Sequence, residues 1–252
     1  MAFFQCGINS ETLGNKTSIN VLYPQTGETK EYPALYLLHG YSDDHSVWMR
    51  RTRLEYYAEA YQIAIIMPDV QRSFYCDVKN QMRGQYWKYV SRELIDITRR
   101  MFRLSGRRED TFAAGLSMGG FGAFKLALNC PETFGAGASL SGAVDALSIV
   151  NGCHGMQLNE VLTFMDDPSE FNGSINDLFA AAKKTDGAKN KPRLYQYCGT
   201  EDFLYEDNVR FRDMMLGLNY DYRYAESPGE HEWGCWDAEI KKVLEWLNVP
   251  KV

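Results

Sequence analysis

Three residue types in one order could perform nucleophilic catalysis in this chain: a serine at 117, a carboxylate at 201 or 202, and a histidine at 231. The serine is the centre of Gly115-Leu116-Ser117-Met118-Gly119, a G-x-S-x-G sequence. In such a nucleophile elbow a sharp strand-to-helix turn constrains the serine backbone, and small residues on either side keep neighbouring chain from colliding with the turn. The hydroxyl then emerges at a helix N-terminus, where the N–H of Met118 points into the same space and can stabilise a developing oxyanion. In a chain with 21 glycines the bare pattern arises easily, so its flanks must decide. Upstream, Thr111-Phe112-Ala113-Ala114 is short, apolar and preceded by Arg107-Arg108-Glu109-Asp110, as a buried parallel strand should be. Downstream, Phe121, Phe124, Leu126, Ala127 and Leu128 run to Asn129-Cys130-Pro131, where proline closes a helix packed on a sheet.

A serine hydroxyl is a weak nucleophile and needs a base to take its proton and an acid to orient that base. In strand-to-helix elbows of this kind the partners follow in the order serine, acid, histidine, each on a loop after a late strand. Only His154 and His231 lie beyond Ser117. His154 falls in an irregular stretch, whereas His231 follows the strand expected over Tyr220–Ala225 and precedes the last helical pattern, which makes it the expected base. The acid should close the preceding strand, and Leu194-Tyr195-Gln196-Tyr197-Cys198 is followed by Gly199-Thr200-Glu201-Asp202. Asp202 is the better placed of the two carboxylates, because Gly199-Thr200 supplies a turn and Phe203-Leu204 begins the next element; Glu201 reads as solvent-facing or a local acceptor. A second oxyanion donor is expected from the loop after the third strand, where Gly40 lets the backbone turn closely and presents the N–H of Tyr41. His39 ends that strand and reads as a buried residue bonded to loop backbone.

The elements that must position these residues alternate along the chain. Apolar, β-rich runs at 17–23, 34–39, 62–67, 111–115, 135–140 and 193–198 are separated by helix-like segments at 48–60, 88–103, 119–129, 206–217 and 235–248. This predicts an α/β fold with a mostly parallel central sheet flanked by helices. In the last helix Ile240, Val243, Leu244 and Leu247 form one apolar stripe for docking on the sheet. Residues 2–8 and 17–23 precede any helix and are expected as antiparallel strands at one edge. The stretch 142–190 breaks the rhythm and is expected to be a cap-like insertion over the site within one domain spanning 1–252, since open α/β sheets bind ligands at the carboxyl ends of their strands.

The bulk properties narrow the partners. A net charge of −6 and a pI near 5.3 argue against a nucleic-acid surface. The start lacks the basic region and long apolar core of a signal peptide and no run of 18 apolar residues occurs, so neither secretion nor a membrane is expected and the protein should be cytoplasmic. Six scattered cysteines without a C-x-x-C pair read as free thiols, and four histidines without H-E-x-x-H give no metal site. No cofactor is required for the chemistry outlined.

Taken together, Leu38-His39-Gly40-Tyr41-Ser42-Asp43-Asp44-His45, Met67-Pro68-Asp69, the stretch 115–123, Cys198-Gly199-Thr200-Glu201-Asp202-Phe203-Leu204 and Gly229-Glu230-His231 resemble the esterase D-like α/β-hydrolases, most closely the small bacterial tributyrin esterases. The resemblance covers almost the whole chain. It implies the α/β-hydrolase fold, a Ser117–Asp202–His231 triad, and a carboxylesterase hydrolysing short-chain acyl or aryl esters as small-molecule substrates. Relatives of this family also include feruloyl and acetylxylan esterases, S-formylglutathione hydrolases and mycolyltransferases, so esters on plant polysaccharides, glutathione thioesters and acyl transfer stay open. S-formylglutathione hydrolases usually carry histidine before the nucleophile, where this chain has Leu116. Trp48, Tyr75, Trp87 and Trp233 are candidates for stacking on a flat ring. Relatives often self-associate, which raises a possible homo-oligomer. A non-catalytic binding module on the same fold is the alternative from another class, and it is disfavoured because all three triad positions are filled.

Overall fold

The computed structural model describes residues 1–25, 31–77, 84–150 and 171–251. Its centre is an eight-stranded sheet in the order β1-β2-β4-β3-β5-β6-β7-β8. The strands are β1 (Ala2–Ser10), β2 (Asn15–Tyr23), β3 (Ala34–Leu38), β4 (Ala64–Pro68), β5 (Thr111–Leu116), β6 (Ala136–Leu140), β7 (Arg193–Gly199) and β8 (Tyr222–Ser227). From β4 through β3, β5, β6 and β7 to β8 every pairing is parallel, while β2 runs antiparallel to both β1 and β4. The expected antiparallel pair thus forms one edge, and the last strand lies two residues beyond the expected 220–225.

The parallel strands are continuous apolar runs because both of their faces are covered. Along β3, Ala34, Tyr36 and Leu38 point into one core while Leu35 and Leu37 point into the other. The first face carries α3 (Tyr86–Lys88), which passes through a π-helical turn (Tyr89–Glu93) into α4 (Leu94–Met101), and α5 (Met118–Asn129). The second carries α1 (Val47–Arg51) and α2 (Leu54–Ala58).

The single helix expected over 48–60 is therefore two. Thr52 Oγ donates to the Trp48 carbonyl at 2.6 Å and accepts from the Leu54 N–H at 3.2 Å, while the Arg53 N–H is drawn 2.8 Å onto Asp237. Asp237 and Thr52 thus satisfy the Arg53 and Leu54 N–H groups, which a continuous helix would have paired internally.

Of the expected insertion, 151–170 lies outside the described residues. What is described of it begins with α6 (Ala146–Val150) and ends with α7 (Leu178–Asp186), whose Leu178, Ala181 and Ala182 join the core shared with α5. Asp177 caps α7 by accepting from the Ala180 N–H at 3.0 Å. Next come α8 (Tyr205–Leu216) on the first face and α9 (Trp233–Leu247) on the second, where Ile240, Val243, Leu244 and Leu247 dock as the apolar stripe requires.

Residue pairing fixes where the loops open. Leu38 pairs with Gly115, Leu116 with Leu140, Leu140 with Tyr197, and Gly199 with Ser227. The carboxyl ends of β3, β5, β6, β7 and β8 therefore lie in a row, and the loops carrying Tyr41, Ser117, Asp202 and His231 all leave from that one edge.

Candidate active site

Ser117 sits between β5 and α5 with φ +53° and ψ −121°, a conformation that side-chain-bearing residues rarely adopt. Three backbone hydrogen bonds hold it there. The Ser117 N–H donates to Leu140 at 2.9 Å, and its carbonyl accepts from Phe121 and Ala143, both at 3.1 Å. A Cβ at Gly115 would overlap the Gly119 carbonyl and one at Gly119 would overlap that of Leu38, which is the physical reason for the small residues flanking the serine. The turn feeds directly into α5, so the Met118 N–H is one of the first helical donors and has no acceptor within the helix.

The neighbouring loop after β3 approaches closely. A Cβ on Gly40 would stand 2.8 Å from Leu116 Cδ1 and 3.8 Å from Ser117 Cβ. The loop is tied down through His39, which is 1% exposed. Its Nδ1–H donates to the Gly40 carbonyl at 2.7 Å, its Nε2 accepts the Val70 N–H at 3.0 Å, and its carbonyl accepts the Tyr75 hydroxyl at 2.9 Å. Burial lowers the His39 pKa from its ordinary value, in keeping with a neutral ring that both donates and accepts. His39 is thus the structural residue expected. The Tyr41 side chain packs between Phe74, at 5.5 Å between ring centroids, and the Arg72 guanidinium, 5.0 Å above its ring.

Asp202 and His231 meet across the ends of β7 and β8. His231 Nδ1 lies 2.8 Å from Oδ2 and 3.0 Å from Oδ1 of Asp202. The carboxylate can only accept, so Nδ1 carries the proton and Nε2 presents its lone pair. The Asp202 side chain is fully buried and also takes the Leu204 N–H at 2.9 Å. The imidazole packs against the buried Trp236, at 4.8 Å and 84°, and against Phe203, at 4.6 Å and 51°.

Glu201 is exposed and accepts from the Gly229 N–H, which holds its carboxyl below the usual carboxylate value. It ties down the loop that carries His231, the local acceptor role expected of it. His154 lies outside the described residues.

Sequence reasoning missed the layer behind this site. The loop 69–77 carries three non-glycine residues with positive φ, Gln71, Phe74 and Tyr75, and is held by Lys125. That lysine is fully buried on α5; its Nζ donates to the Tyr75 carbonyl at 2.7 Å and to Cys76 Sγ at 3.3 Å, and lies 4.7 Å above the Trp87 ring. A lysine inside the otherwise apolar run Phe124-Lys125-Leu126 was the available signal. Two of the four ring-stacking candidates are occupied elsewhere: Trp48 is buried with its indole N–H on the Leu38 carbonyl at 3.0 Å, and Tyr75 is buried on His39.

Among the described residues no group of three or more His, Cys, Asp or Glu could hold a metal ion, and no helix is long and apolar enough to cross a membrane.

Comparison with known proteins gives one consistent result. The Esterase family model matches residues 10–247. An acetyl esterase of Caldicellulosiruptor saccharolyticus is 29% identical over 98% of both chains. Among solved structures, the substrate-bound fluorophosphonate-binding serine hydrolase FphF of Staphylococcus aureus superposes with a TM-score of 0.90 at 31% identity, covering 98% of each chain. The S-formylglutathione hydrolase FrmB of the same organism follows at 0.86 and 29%, again over 98% of each.

Proposed function

The chain belongs to the Esterase family and is a serine carboxylic ester hydrolase with the α/β-hydrolase fold, and from that premise we propose that Ser117, Asp202 and His231 are its catalytic triad. The backbone N–H groups of Tyr41 and Met118 form the oxyanion hole in this reading. The observation that carries it is the buried Asp202 carboxylate holding the Nδ1–H of His231, on loops that open at the same sheet edge as the strained Ser117 turn.

In this reading the reaction passes through an acyl-enzyme on Ser117. His231 Nε2 accepts the Ser117 hydroxyl proton as Oγ attacks the ester carbonyl carbon, and the resulting oxyanion is held by the Tyr41 and Met118 N–H groups. Asp202 steadies the imidazolium. When the carbon–oxygen bond to the alcohol breaks, Nε2 returns the proton to the leaving oxygen. Water then gives up a proton to Nε2 and attacks the acyl-enzyme, and the carboxylic acid leaves as Ser117 Oγ is reprotonated.

Short-chain acyl or aryl esters are the substrates proposed. The acetyl esterase relative supports a small acyl group, and the likeness to an S-formylglutathione hydrolase supports a thioester as the second reading.

The test is Ser117→Ala assayed on 4-nitrophenyl acetate and S-formylglutathione, with fluorophosphonate labelling of the wild type. Loss of turnover by about four to six orders of magnitude in a folded variant is expected, together with labelling at Ser117. A folded variant with wild-type rates would refute the triad, and an unlabelled wild type would favour a binding module. Preference for the thioester over the oxygen ester would establish the second reading.

A further inference from the structure

Phe203 is an anomaly at this site. It is 58% exposed, yet it follows the buried Asp202 directly and its ring lies against the imidazole of His231 at 4.6 Å. The turn that carries it is fixed on both sides. The Asp202 N–H donates to Gly199 at 3.2 Å, its carbonyl accepts from Tyr205 at 2.9 Å, and its side chain takes the Leu204 N–H at 2.9 Å. Asp202 and Leu204 are buried, whereas the residue between them is exposed. The imidazole therefore has a buried aromatic neighbour in Trp236 and an exposed one in Phe203. A partly exposed aromatic ring packed on the imidazole can offer a planar apolar group an offset or edge contact.

The reaction says which part of the substrate meets that ring. The Nε2 of His231 must deliver its proton to the leaving oxygen from hydrogen-bond range, about 2.8 Å. The first atoms beyond that oxygen then lie beside the imidazole, where Phe203 is packed. The acyl group is bonded to the other side of the carbonyl carbon, and the oxyanion points to Tyr41 and Met118. Glu201, Glu230 and Glu232 are exposed on the two loops that bring Phe203 and His231 together, and their charge opposes an anionic group at this place.

We infer that Phe203 forms the leaving-group subsite, and that it selects esters of uncharged alcohols carrying a planar apolar ring on or next to the ester oxygen. The inference rests on the reading of Ser117 and His231 as the reacting pair. An aromatic leaving group gains an offset or edge contact with the Phe203 ring in the transition state, whereas a small alkyl alcohol reaches too little of it.

The experiment compares kcat/KM for benzyl acetate and ethyl acetate, which share one acyl group and have similarly unactivated alcohols. It uses wild type, Phe203→Ala and Phe203→Tyr. The benzyl-to-ethyl ratio is expected to fall about three- to ten-fold in Phe203→Ala and to be kept in Phe203→Tyr. The ratio of ethyl butyrate to ethyl acetate should stay within about two-fold, because the acyl side does not touch the ring. An unchanged benzyl-to-ethyl ratio, including an equal fall on both esters, would mean that Phe203 only screens the Asp202–His231 bond and would overturn the subsite. A matching shift in the acyl series would assign Phe203 to the acyl pocket and overturn it equally. A cooperative thermal transition of Phe203→Ala close to that of the wild type separates these outcomes from a misfolded variant. Failure of Ser117 to label in the wild type would overturn the underlying reading instead.

Discussion

A carboxylate that orients a catalytic imidazole must be shielded enough to bond strongly and must reach Nδ1, and the adjacent Glu201 and Asp202 divide on both counts. Asp202 is buried and bonded to His231, whereas Glu201 is exposed and bonded to the Gly229 amide. Asp202→Asn should therefore lower kcat about 10⁴-fold, because an amide presents an N–H to Nδ1 and turns the ring to the wrong tautomer. Glu201→Gln should change kcat by less than about ten-fold, through slight loosening of the 229–231 loop. Steady-state kinetics on one activated ester decides, and a larger loss in Glu201→Gln would reverse the assignment. The elbow turn at Ser117 is legible in the sequence because its motif is local, and His231 stands out because it lies between the last strand and the last helix. The choice between two neighbouring acids was not fixed by spacing and leaned on family resemblance. Phe203 was illegible, since an aromatic residue that opens a helical segment reads as core, and only three-dimensional contact reveals its exposed ring against a histidine.

Among the elements, strand positions and the helical layers followed from apolar runs and periodicity, while the connections did not. The break between α1 and α2 depends on Asp237, 184 residues from Arg53 in the chain, a distance over which pattern reading has no purchase. The loop 69–77, with its three positive-φ residues, is of the same kind: it is held through Tyr75 by Lys125 of α5 and by His39 after β3, two segments distant from it in the chain. Burial lowers the Lys125 pKa from the ordinary 10.5. Between the folded and unfolded values the unfolded chain binds more protons, so this group makes stability rise with pH across that window, and the penalty of burying its charge is fully present below it. Lys125→Met keeps the stem and removes both the charge and the bond to Tyr75, at a cost of about 1–3 kcal/mol for the orphaned carbonyl, offset in part by the lost charge burial. The difference in urea midpoints between wild type and Lys125→Met should then move in the wild type's favour from pH 7 towards pH 10. Tyr75 and Cys76 are common to both proteins and do not decide the sign. A gap that narrows with pH would show that Lys125 is not destabilised by its burial.

At the scale of the whole molecule the sheet works as a rigid frame against which one residue is strained. Ser117 is bonded to Leu140 at the end of β6, to Phe121 in α5 and to Ala143 in the following loop, so the elbow can relax only if strand, helix and loop move together. A non-glycine residue in such a region of backbone space costs about 1–3 kcal/mol, a sizeable part of the roughly 5–15 kcal/mol by which a folded domain is stable. The frame tolerates this because buried runs such as β3 and β5 and the stripe on α9 supply cohesion far from the site. Stability and activity should then separate at position 117. Ser117→Ala and Ser117→Gly both remove the hydroxyl and both should be inactive, but only glycine relieves the strain. Its greater freedom in the unfolded chain takes back about 0.5–1 kcal/mol, which leaves the glycine variant more stable by about 0.5–2 kcal/mol. For a chain of this length that corresponds to a thermal midpoint about 1–8 °C above that of Ser117→Ala. Calorimetry of the two variants reads the difference directly. Equal midpoints would mean that the hydrogen bonds around the elbow have already relaxed the serine, and that the frame holds it in place without straining it.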